Sequence, residues 1–319
     1  MKYDFLVYSG AVANPNFFYY TGLNLTHAFL ILKDLEGKGK TIITNALNRG
    51  FGRNFDGEFI VAEDIFDEVR KRVGQKIAID SSMPFRVYKK ICDGRDVIDA
   101  AELFYKKRMK KTSEEISKIK KAVSLSKGII EKFGSCEGMK EEDVAKNLLT
   151  ETYSEGLEPA FPPIVATGQN AATPHASYTK KIVRDFVLID YGVKYKNYCG
   201  DITRCFFFNS KKANALKEKY EKLKELAYRL IDNGGGFKKS DELHNHYEDL
   251  NSKFGFPRPI HSIGHGIGLE VHEYPRFGKK YSDEIAFSTF TIEPGIYYDN
   301  YGLRHEETVY HNGKRIIAL

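Results

Sequence analysis

The sequence predicts a mixed α+β protein of two domains. The chain has 319 residues, which is enough for two hydrophobic cores. Short apolar runs typical of β-strands alternate with segments in which apolar residues recur at the spacing of an amphipathic helix. A run of basic residues near position 110 separates a smaller first part from a larger second part. Because strands and helices alternate, we expect domains in which helices pack on sheets.

Composition and charge exclude several classes of function. The net charge of +6 is spread too widely to predict a nucleic-acid interface. No apolar run reaches the roughly 18 residues of a membrane helix, and the N-terminus lacks the apolar stretch of a secretory signal. The four cysteines have no paired-motif spacing and indicate reduced thiols. We therefore expect a cytoplasmic protein that binds neither nucleic acid nor membranes.

The first domain, expected at residues 1–111, is predicted to be a small α/β domain. The expected strands are 4–8, 28–32, 41–44 and 76–80, and the expected helices are 65–73 and a segment from Pro84 toward Cys92. Gly37-Lys38-Gly39 favours a hairpin between the second and third strands, and Asn14-Pro15-Asn16 is interpreted as a turn. His27 is the only histidine of this domain, and a lone histidine is usually structural. We predict no active site here.

The boundary is predicted within residues 106–112. The basic residues there are interpreted as a solvated connector, with an anionic partner as the less favoured alternative: Lys106, Lys107, Arg108, Lys110 and Lys111. Thr112 followed by Glu115 fits a capping box, in which the hydroxyl and the carboxylate satisfy free amides at a helix start. An amphipathic helix is therefore predicted to open the second domain, residues 112–319.

The second domain is predicted to contain further helices and several apolar strands. The expected helices are 141–154, 217–231 and 241–254, and the expected strands are 161–168, 186–192, 205–208, 286–293 and 308–311. Polar and glycine-rich segments connect them, so side chains at the strand ends can converge on one place.

Acidic residues lie on both sides of a glycine-rich segment that contains His265 and His272. Asp190 ends an apolar strand, Asp201 follows after a short glycine-containing segment, and Glu293 and Glu306 lie downstream. Each of these residues taken singly is usually a structural or surface residue. Carboxylates brought together repel unless cations hold them. Two divalent ions about 3.5–4 Å apart lower the pKa of a shared water and polarise a carbonyl, so the joint pattern predicts a two-metal hydrolase site.

Five segments of this domain resemble the ligand segments of the pita-bread metallopeptidases. That family includes Xaa-Pro dipeptidases (prolidases), Xaa-Pro aminopeptidases, methionine aminopeptidases and creatinases. The segments are 188–192, 200–204, 264–273, 292–297 and 304–309, and they occur in the family's order. The resemblance implies a creatinase-like N-terminal α/β domain followed by a pita-bread catalytic domain. It also implies a homodimer.

The resemblance implies a role for each metal ligand. Asp190 would bind one ion, Asp201 and Glu306 would bridge both, and His265 and Glu293 would bind the second. Mixed oxygen and nitrogen ligation suits Mn or Co, with Zn or Fe as alternatives. We expect two divalent ions per subunit.

The last ligand segment departs from the family pattern. Around the ligand glutamate the family usually has an aliphatic residue and an aspartate, whereas this chain has His305 and Glu307. We assign the ligand to Glu306, because it lies two residues before Thr308 as in the family. Glu307 would then support the ligand from outside the metal site.

The resemblance also implies the catalytic and substrate-binding residues. Glu293 would move the proton of the attacking water, and His175 and His272 would contact the substrate and its tetrahedral intermediate. Arg276 resembles the prolidase arginine that faces the free carboxylate of a dipeptide, which a guanidinium binds with two hydrogen bonds. The sequence therefore favours a Xaa-Pro dipeptidase acting on short proline-containing peptides. The alternatives are a Xaa-Pro aminopeptidase acting on longer peptides and a non-catalytic peptide-binding homologue.

Overall fold

The computed structural model describes residues 3–319. The chain divides into two compact units, Met1–Arg108 and Met109–Leu319. Both contain helices and sheets, as predicted. The predicted domain boundary after residue 111 lies a few residues beyond this division.

The first unit contains a six-stranded sheet with the order β4-β3-β2-β1-β5-β6. Its strands are β1 (Asp4–Ser9), β2 (Ala28–Leu32), β3 (Thr41–Thr44), β4 (Glu58–Val61), β5 (Lys76–Ile79) and β6 (Asp96–Asp99). Its helices are α1 (Pro15–Thr21), α2 (Ile65–Arg72), α3 (Phe85–Cys92) and α4 (Ala101–Met109), with a 3₁₀ segment at Ala46–Asn54. The predicted hairpin of β2 and β3 is confirmed. Every residue of β2 is buried, so apolar side chains cover both faces at the sheet centre.

The interpretation of Asn14-Pro15-Asn16 as a turn is wrong, because these residues start helix α1. The Asn14 side chain accepts hydrogen bonds from the backbone amides of Asn16 and Phe17, and Pro15 occupies the first helical position. Asparagine at the N-cap and proline just after it are both favourable helix starts. The same residue types also favour turns, so local sequence did not separate the two outcomes.

The prediction of a solvated basic connector is also wrong in part. Arg108 and Lys111 are buried, with 2% and 7% of their surface exposed. Arg108 Nη1 donates to Asn16 Oδ1 at 2.8 Å, within the first unit, and Lys111 Nζ donates to Glu273 Oε1 at 2.8 Å, within the second. Both partners lie far away in the sequence. The run of basic residues therefore did not by itself indicate which of its side chains would be exposed and which would be buried.

The second unit combines four long helices with short strands in several small sheets. The helices are α5 (Ser113–Glu131), α6 (Glu141–Ser154), α7 (Lys211–Asn233) and α8 (Ser240–Lys253), with 3₁₀ segments at Gly168–Ala172 and Gly234–Gly236. The first strands are β7 (Glu158–Pro159), β8 (Ile164–Ala166), β9 (Phe186–Tyr191), β10 (Val193–Tyr195), β11 (Tyr198–Cys199) and β12 (Ile202–Phe207). The remaining strands are β13 (His265–Gly266), β14 (Glu273–Arg276), β15 (Thr289–Ile292), β16 (Gly295–Tyr298), β17 (Tyr301–Arg304), β18 (Glu307–His311) and β19 (Ile316–Ala318). Their sheet orders are β11-β10-β7, β12-β9-β8, β14-β13-β15-β18-β19 and β16-β17.

Helix α5 begins as predicted. The Thr112 side chain and the Glu115 carboxylate form the expected capping box. Ile119, Val123 and Ile130 are buried along one face. The predicted strand at 161–168 is shorter, covering only Ile164–Ala166, because prolines precede it and remove backbone donors.

Two sheets bring distant segments together. β9 pairs antiparallel with β12, so that Asp190 lies opposite Thr203. β15 pairs antiparallel with β18, so that Ile292 lies opposite Glu307. The two sheets are joined where Glu306 N donates to Thr203 O at 3.3 Å. Carboxylates from four strand ends therefore meet in one region.

None of the helices described in residues 3–319 is both long and apolar enough to cross a membrane.

Candidate functional site

A cavity of about 470 Å³ lies in the second unit. It is lined by the residues predicted as metal ligands and by both predicted substrate histidines, which are Asp190, Asp201, His265, Glu293, Glu306, His175 and His272. The other lining residues are Phe161, Pro162, Ile164, Pro174, His261, Ser262, Val271 and Arg304. Arg276 is the one predicted site residue that does not line it.

Three predicted ligands form the tightest cluster. One oxygen or nitrogen atom from each of Asp201, His265 and Glu306 lies within 4.8 Å of the other two. Nε2 of His265 is 3.5 Å from Asp201 Oδ2 and 3.6 Å from Glu293 Oε1. These separations are longer than hydrogen bonds, and they leave room for an ion among four donor atoms.

The orientation of His265 suits a metal ligand. Its Nδ1 lies 3.2 Å from the carbonyl oxygen of Gly266, and a carbonyl can only accept, so Nδ1 carries the proton. The Nε2 lone pair then points toward the carboxylates. Burial, together with the charge of His272, lowers the pKa of His265 to about 3. The neutral form, which can bind a metal, is therefore the stable one at neutral pH.

Asp190 is held by an arginine. One of its oxygens, Oδ2, accepts a hydrogen bond from Arg304 Nη2. Its other oxygen, Oδ1, is buried without a hydrogen-bond partner, and so is Oδ1 of Asp201. Buried carboxylate oxygens without donors are unfavourable. Hard divalent cations are suitable partners for both atoms, so the residues present fit the metals that the sequence predicted.

The raised pKa values of the clustered carboxyl groups also indicate a cation site. Burial, together with the charges of neighbouring carboxylates, raises the pKa of Asp201 and of Glu306 well above the usual range. Burial and the charge of Asp190 raise the pKa of Glu293 to about 8, against the opposing effect of Arg304. Below about pH 8 Glu293 would hold a proton in the metal-free protein, and the shifts of Asp201 and Glu306 favour their protonated forms. The cluster therefore needs added positive charge to be ionised.

Several side chains support Glu306 from outside the cavity. Thr203 Oγ1 donates to Glu306 Oε2 at 2.7 Å, and Arg204 Nη1 donates to the Glu306 carbonyl at 2.6 Å. Glu307 pairs with Arg204 at 2.7 Å and with Lys127 at 3.0 Å. Burial alone would raise the pKa of Glu307, but the His305 imidazole, 3.5 Å away, and the two cations lower it to about 2. Glu307 is therefore ionised and forms ion pairs with Arg204 and Lys127.

The two predicted substrate histidines lie at the same cavity. The rings of His272 and His265 are nearly perpendicular, with centroids 4.1 Å apart. Burial and the charge of His175 lower the pKa of His272. Neutral imidazoles have one N–H donor and one acceptor each, so they can both give and take a proton.

Sequence reasoning missed a hydrogen-bonded group beside Asp190. Arg304 Nη1 donates to Tyr297 Oη at 3.0 Å, and the Tyr297 hydroxyl lies 3.1 Å from His261 Nε2. His261 Nδ1 donates to the Ser262 carbonyl at 2.8 Å, so its Nε2 accepts from the tyrosine. Arg304 and Tyr297 belong to the ligand segments, and His261 lies shortly before the segment 264–273. A polar side chain in or near a ligand segment was the signal from which these three site residues could have been predicted.

Arg276 is occupied elsewhere. Its guanidinium donates from Nε and Nη2 to the two carboxylate oxygens of Asp283, at 3.0 Å each. The aromatic rings of Tyr274 and Tyr281 lie 4.0 and 4.7 Å from it. The structure thus brings together every predicted site residue except Arg276.

Comparison with known proteins gives a consistent result. The sequence pattern of Metallopeptidase family M24 matches residues 117–312. The Xaa-Pro dipeptidase of Pyrococcus horikoshii is 30% identical over 310 residues, covering 93% of this chain and 87% of that protein. A putative Xaa-Pro aminopeptidase of Mycoplasma genitalium is 34% identical over 229 residues, covering 69% of this chain but only 63% of that protein.

A solved structure extends the similarity to almost the whole chain. The crystal structure of a recombinant prolidase from Thermococcus sibiricus superimposes with a TM-score of 0.86 at 28% identity, covering 99% of this chain and 92% of that one. The predicted architecture, an N-terminal domain followed by a pita-bread catalytic domain, is thereby confirmed.

Proposed function

The chain belongs to metallopeptidase family M24, and from this we propose that it hydrolyses Xaa-Pro dipeptides with two divalent metal ions. The observation that carries the proposal is the convergence of five residues suited to metal ligation, from distant segments, at one cavity. Two of their buried carboxylate oxygens have no hydrogen-bond donor. The relatives named Xaa-Pro dipeptidase and prolidase support the choice of substrate.

We propose that Asp190, Asp201, His265, Glu293 and Glu306 hold the metals. When bound, divalent ions would lower the pKa of a water and polarise the scissile carbonyl. Oxygen and nitrogen donors without a thiolate favour Mn or Co, with Zn or Fe as alternatives.

The protein's own residues would then orient the peptide and move protons. Glu293 would take the proton of the attacking water and deliver it to the leaving amine. His175 and His272 would donate hydrogen bonds to the carbonyl oxygen as it gains negative charge. Arg304 would fix the Asp190 carboxylate in place through the charge-assisted hydrogen bond between them.

The size and lining of the cavity support a small peptide. Its volume of about 470 Å³ is in the range of small-molecule sites. Phe161, Ile164 and Val271 form an apolar wall beside the polar cluster. Such a wall would accept a pyrrolidine ring or an apolar side chain, while the histidines contact the peptide group.

The pairing of Arg276 with Asp283 favours a second candidate, a Xaa-Pro aminopeptidase acting on longer peptides. A guanidinium already bound to a carboxylate is less available for the free carboxylate of a dipeptide. The relative named as a putative Xaa-Pro aminopeptidase supports this alternative.

The experiment compares Xaa-Pro, Xaa-Pro-Xaa and Met-Ala-Xaa peptides with metal-free protein reloaded with Mn or Co. Cleavage of Xaa-Pro alone is expected, and cleavage of the tripeptide would support the aminopeptidase. Asp201→Asn should lose stoichiometric metal and at least about 100-fold of kcat/KM. Asp67→Asn, an exposed carboxylate of α2, is the control and should change neither. Metal binding without cleavage of any peptide would overturn the enzymatic proposal and favour a peptide-binding homologue.

The family resemblance also supports a homodimer, and the free buried cysteines support a reducing, cytoplasmic location. Light scattering of the metal-loaded protein tests the first proposal, and fractionation of the source cells tests the second.

A further inference from the structure

We propose that Glu141, on the first turn of α6, is a positioning residue that fixes the loop carrying His175. The inference rests on the proposed function, because it concerns a residue assigned there to substrate contact. Glu141 is fully buried and is not among the residues that line the cavity. Its effect on the reaction would therefore pass through the loop at 167–179.

The carboxylate of Glu141 accepts four hydrogen bonds from this one loop. Oε1 accepts from the Thr167 amide at 2.8 Å. Oε2 accepts from Asn170 Nδ2 at 2.8 Å, from the Thr179 amide at 2.8 Å and from the Thr179 hydroxyl at 2.6 Å. A carboxylate has hydrogen-bond acceptor sites for about four donors, and the four bonds occupy these sites. They also offset the free-energy cost of burying the carboxylate.

The four bonds close the loop at both ends. Thr167 lies directly after β8, and Thr179 precedes the segment that returns to β9. Between them the regular structure is a single 3₁₀ turn, Gly168–Ala172. Its own backbone hydrogen bonds, from the amides of Asn170, Thr173 and Ala176 to carbonyls three residues earlier, do not join its two ends. Convergence of both ends on one carboxylate therefore helps to fix its path.

Further contacts transmit this constraint to His175. The Asn170 amide group that donates to Glu141 also donates to the Ser177 carbonyl, at 3.0 Å. On the cavity side, Arg304 Nη1 donates to the Pro174 carbonyl at 3.1 Å. The backbone on either side of His175 is thus held, by Glu141 through Asn170 and by Arg304.

The imidazole of His175 itself is exposed. Packing does little to fix an exposed side chain, so its position depends on the backbone that carries it. A misplacement of about 1 Å at a reacting centre can cost on the order of 100-fold in rate. A buried carboxylate outside the site can therefore matter to catalysis as much as a residue that contacts the substrate.

The test is a double-mutant cycle on the metal-loaded protein with an Xaa-Pro substrate. Glu141→Gln places an amide NH₂ against the Thr167 amide if it replaces Oε1, or against three donors if it replaces Oε2, and we expect it to lower kcat/KM by about 10- to 100-fold, with metal content unchanged. In a His175→Ala background the same change should cost less than about threefold. Glu141→Asp, which keeps the charge, should restore part of the loss. Equal losses in both backgrounds would mean a purely structural role and would overturn the inference.

A readout independent of activity separates this inference from the proposed function. Glu141→Gln should raise amide hydrogen exchange within 167–179 while leaving β9 protected. Unchanged exchange in the loop would overturn the inference even if no peptide is cleaved. If the wild-type protein cleaves no peptide but Glu141→Gln still raises exchange in the 167–179 loop, only the proposed function would be overturned.

Milder variants keep the test usable if Glu141→Gln fails to fold. Thr179→Val and Asn170→Ala each remove donors but leave the carboxylate in place, and both should show the same dependence on His175. Glu142→Gln is the matched control, because this neighbour is partly exposed and lies 3.6 Å from Lys140. It should change neither kcat/KM nor loop exchange.

Discussion

Four of the five proposed metal-ligand side chains are held by different neighbours. Asp190 is bonded to Arg304, Glu306 to Thr203, and His265 to a backbone carbonyl. Glu293 has a weaker support, a 3.4 Å contact with Thr291 Oγ1. A carboxylate that accepts only a long, weak hydrogen bond can change its hydrogen bonding during a reaction at a lower free-energy cost. This difference agrees with the proposal that Glu293 moves the proton while Asp190 and Glu306 stay fixed.

The role of Arg276 is tested by comparing two substrates. If it binds the free carboxylate of a dipeptide, Arg276→Ala should lower kcat/KM for Xaa-Pro by more than tenfold relative to Xaa-Pro-Xaa, the loss expected for a charge-assisted pair. Asp283→Asn should then preserve or increase dipeptide turnover, because it removes the negative charge that competes with the substrate carboxylate for the guanidinium.

Steady-state kinetics on both substrates check this prediction, with Arg258→Ala as a control arginine outside the residues that line the cavity. If Arg276→Ala lowers kcat/KM equally for the two substrates, Arg276 only stabilises the segment between Tyr274 and Asp283.

The start of the second unit is tied to β14 by a buried ion pair. Lys111 Nζ lies 2.8 Å from Glu273 Oε1, and both side chains are 1% exposed. Lys111 also donates its backbone amide to the Phe287 carbonyl at 2.8 Å. A side chain at Gly268 would come within 2.3 Å of the Glu273 carboxylate. Glycine is therefore required where the segment between His265 and His272 passes over the pair.

Breaking this ion pair should destabilise the protein strongly. Lys111→Met removes the Lys111 ammonium from the buried Glu273 carboxylate, and the free energy of unfolding should fall by about 3–5 kcal/mol. Adding Glu273→Gln should recover part of the loss, because the buried negative charge that Lys111 paired with is also removed. Urea denaturation of the metal-free protein measures both. Lys110→Met is the control, since Lys110 and Glu284 form an exposed pair at 3.5 Å, and it should stay within about 1 kcal/mol. Similar losses for the two lysines would contradict this role.

In the second unit as a whole, charge around the site is balanced only when cations are present. Glu293 has an ordinary pKa of 4.5, and in the folded metal-free protein its pKa is about 8. A raised carboxyl pKa contributes stability that is fully present below the ordinary value and is lost as the pH rises through the folded value. Stability of the metal-free protein should therefore decline between about pH 4.5 and 8 on account of this group.

Metal binding should consequently release protons. Below about pH 8 a divalent ion must displace the proton of Glu293, so Mn affinity should increase from pH 6 to pH 8. Titration calorimetry in two buffers with different ionisation enthalpies measures the released protons, and the Mn-induced rise in Tm should be larger at pH 8 than at pH 6. Affinity that does not change with pH over this interval would contradict the assignment of Glu293 as a ligand.

Local patterns were sufficient to predict most elements and the ligand segments. The capping box at Thr112, the strand ending near Asp190 and helix α6 depend on residues that are neighbours in the chain, and the structure contains all three. Strand and helix periodicities are properties of short windows. A ligand that follows a strand end or a glycine can therefore be identified before the fold is known.

Tertiary structure decided which side chains became partners. Lys111 with Glu273, Arg276 with Asp283, and Glu141 with the His175 loop each depend on how segments pack against one another. The same lysine would be solvated on a surface, and the same arginine could reach a substrate, if those segments packed differently. Burial and pairing of a charged group depend on the elements around it rather than on its sequence neighbours. For that reason the candidate metal ligands could be proposed from the chain alone, whereas the partners of Lys111, Arg276 and Glu141 could not.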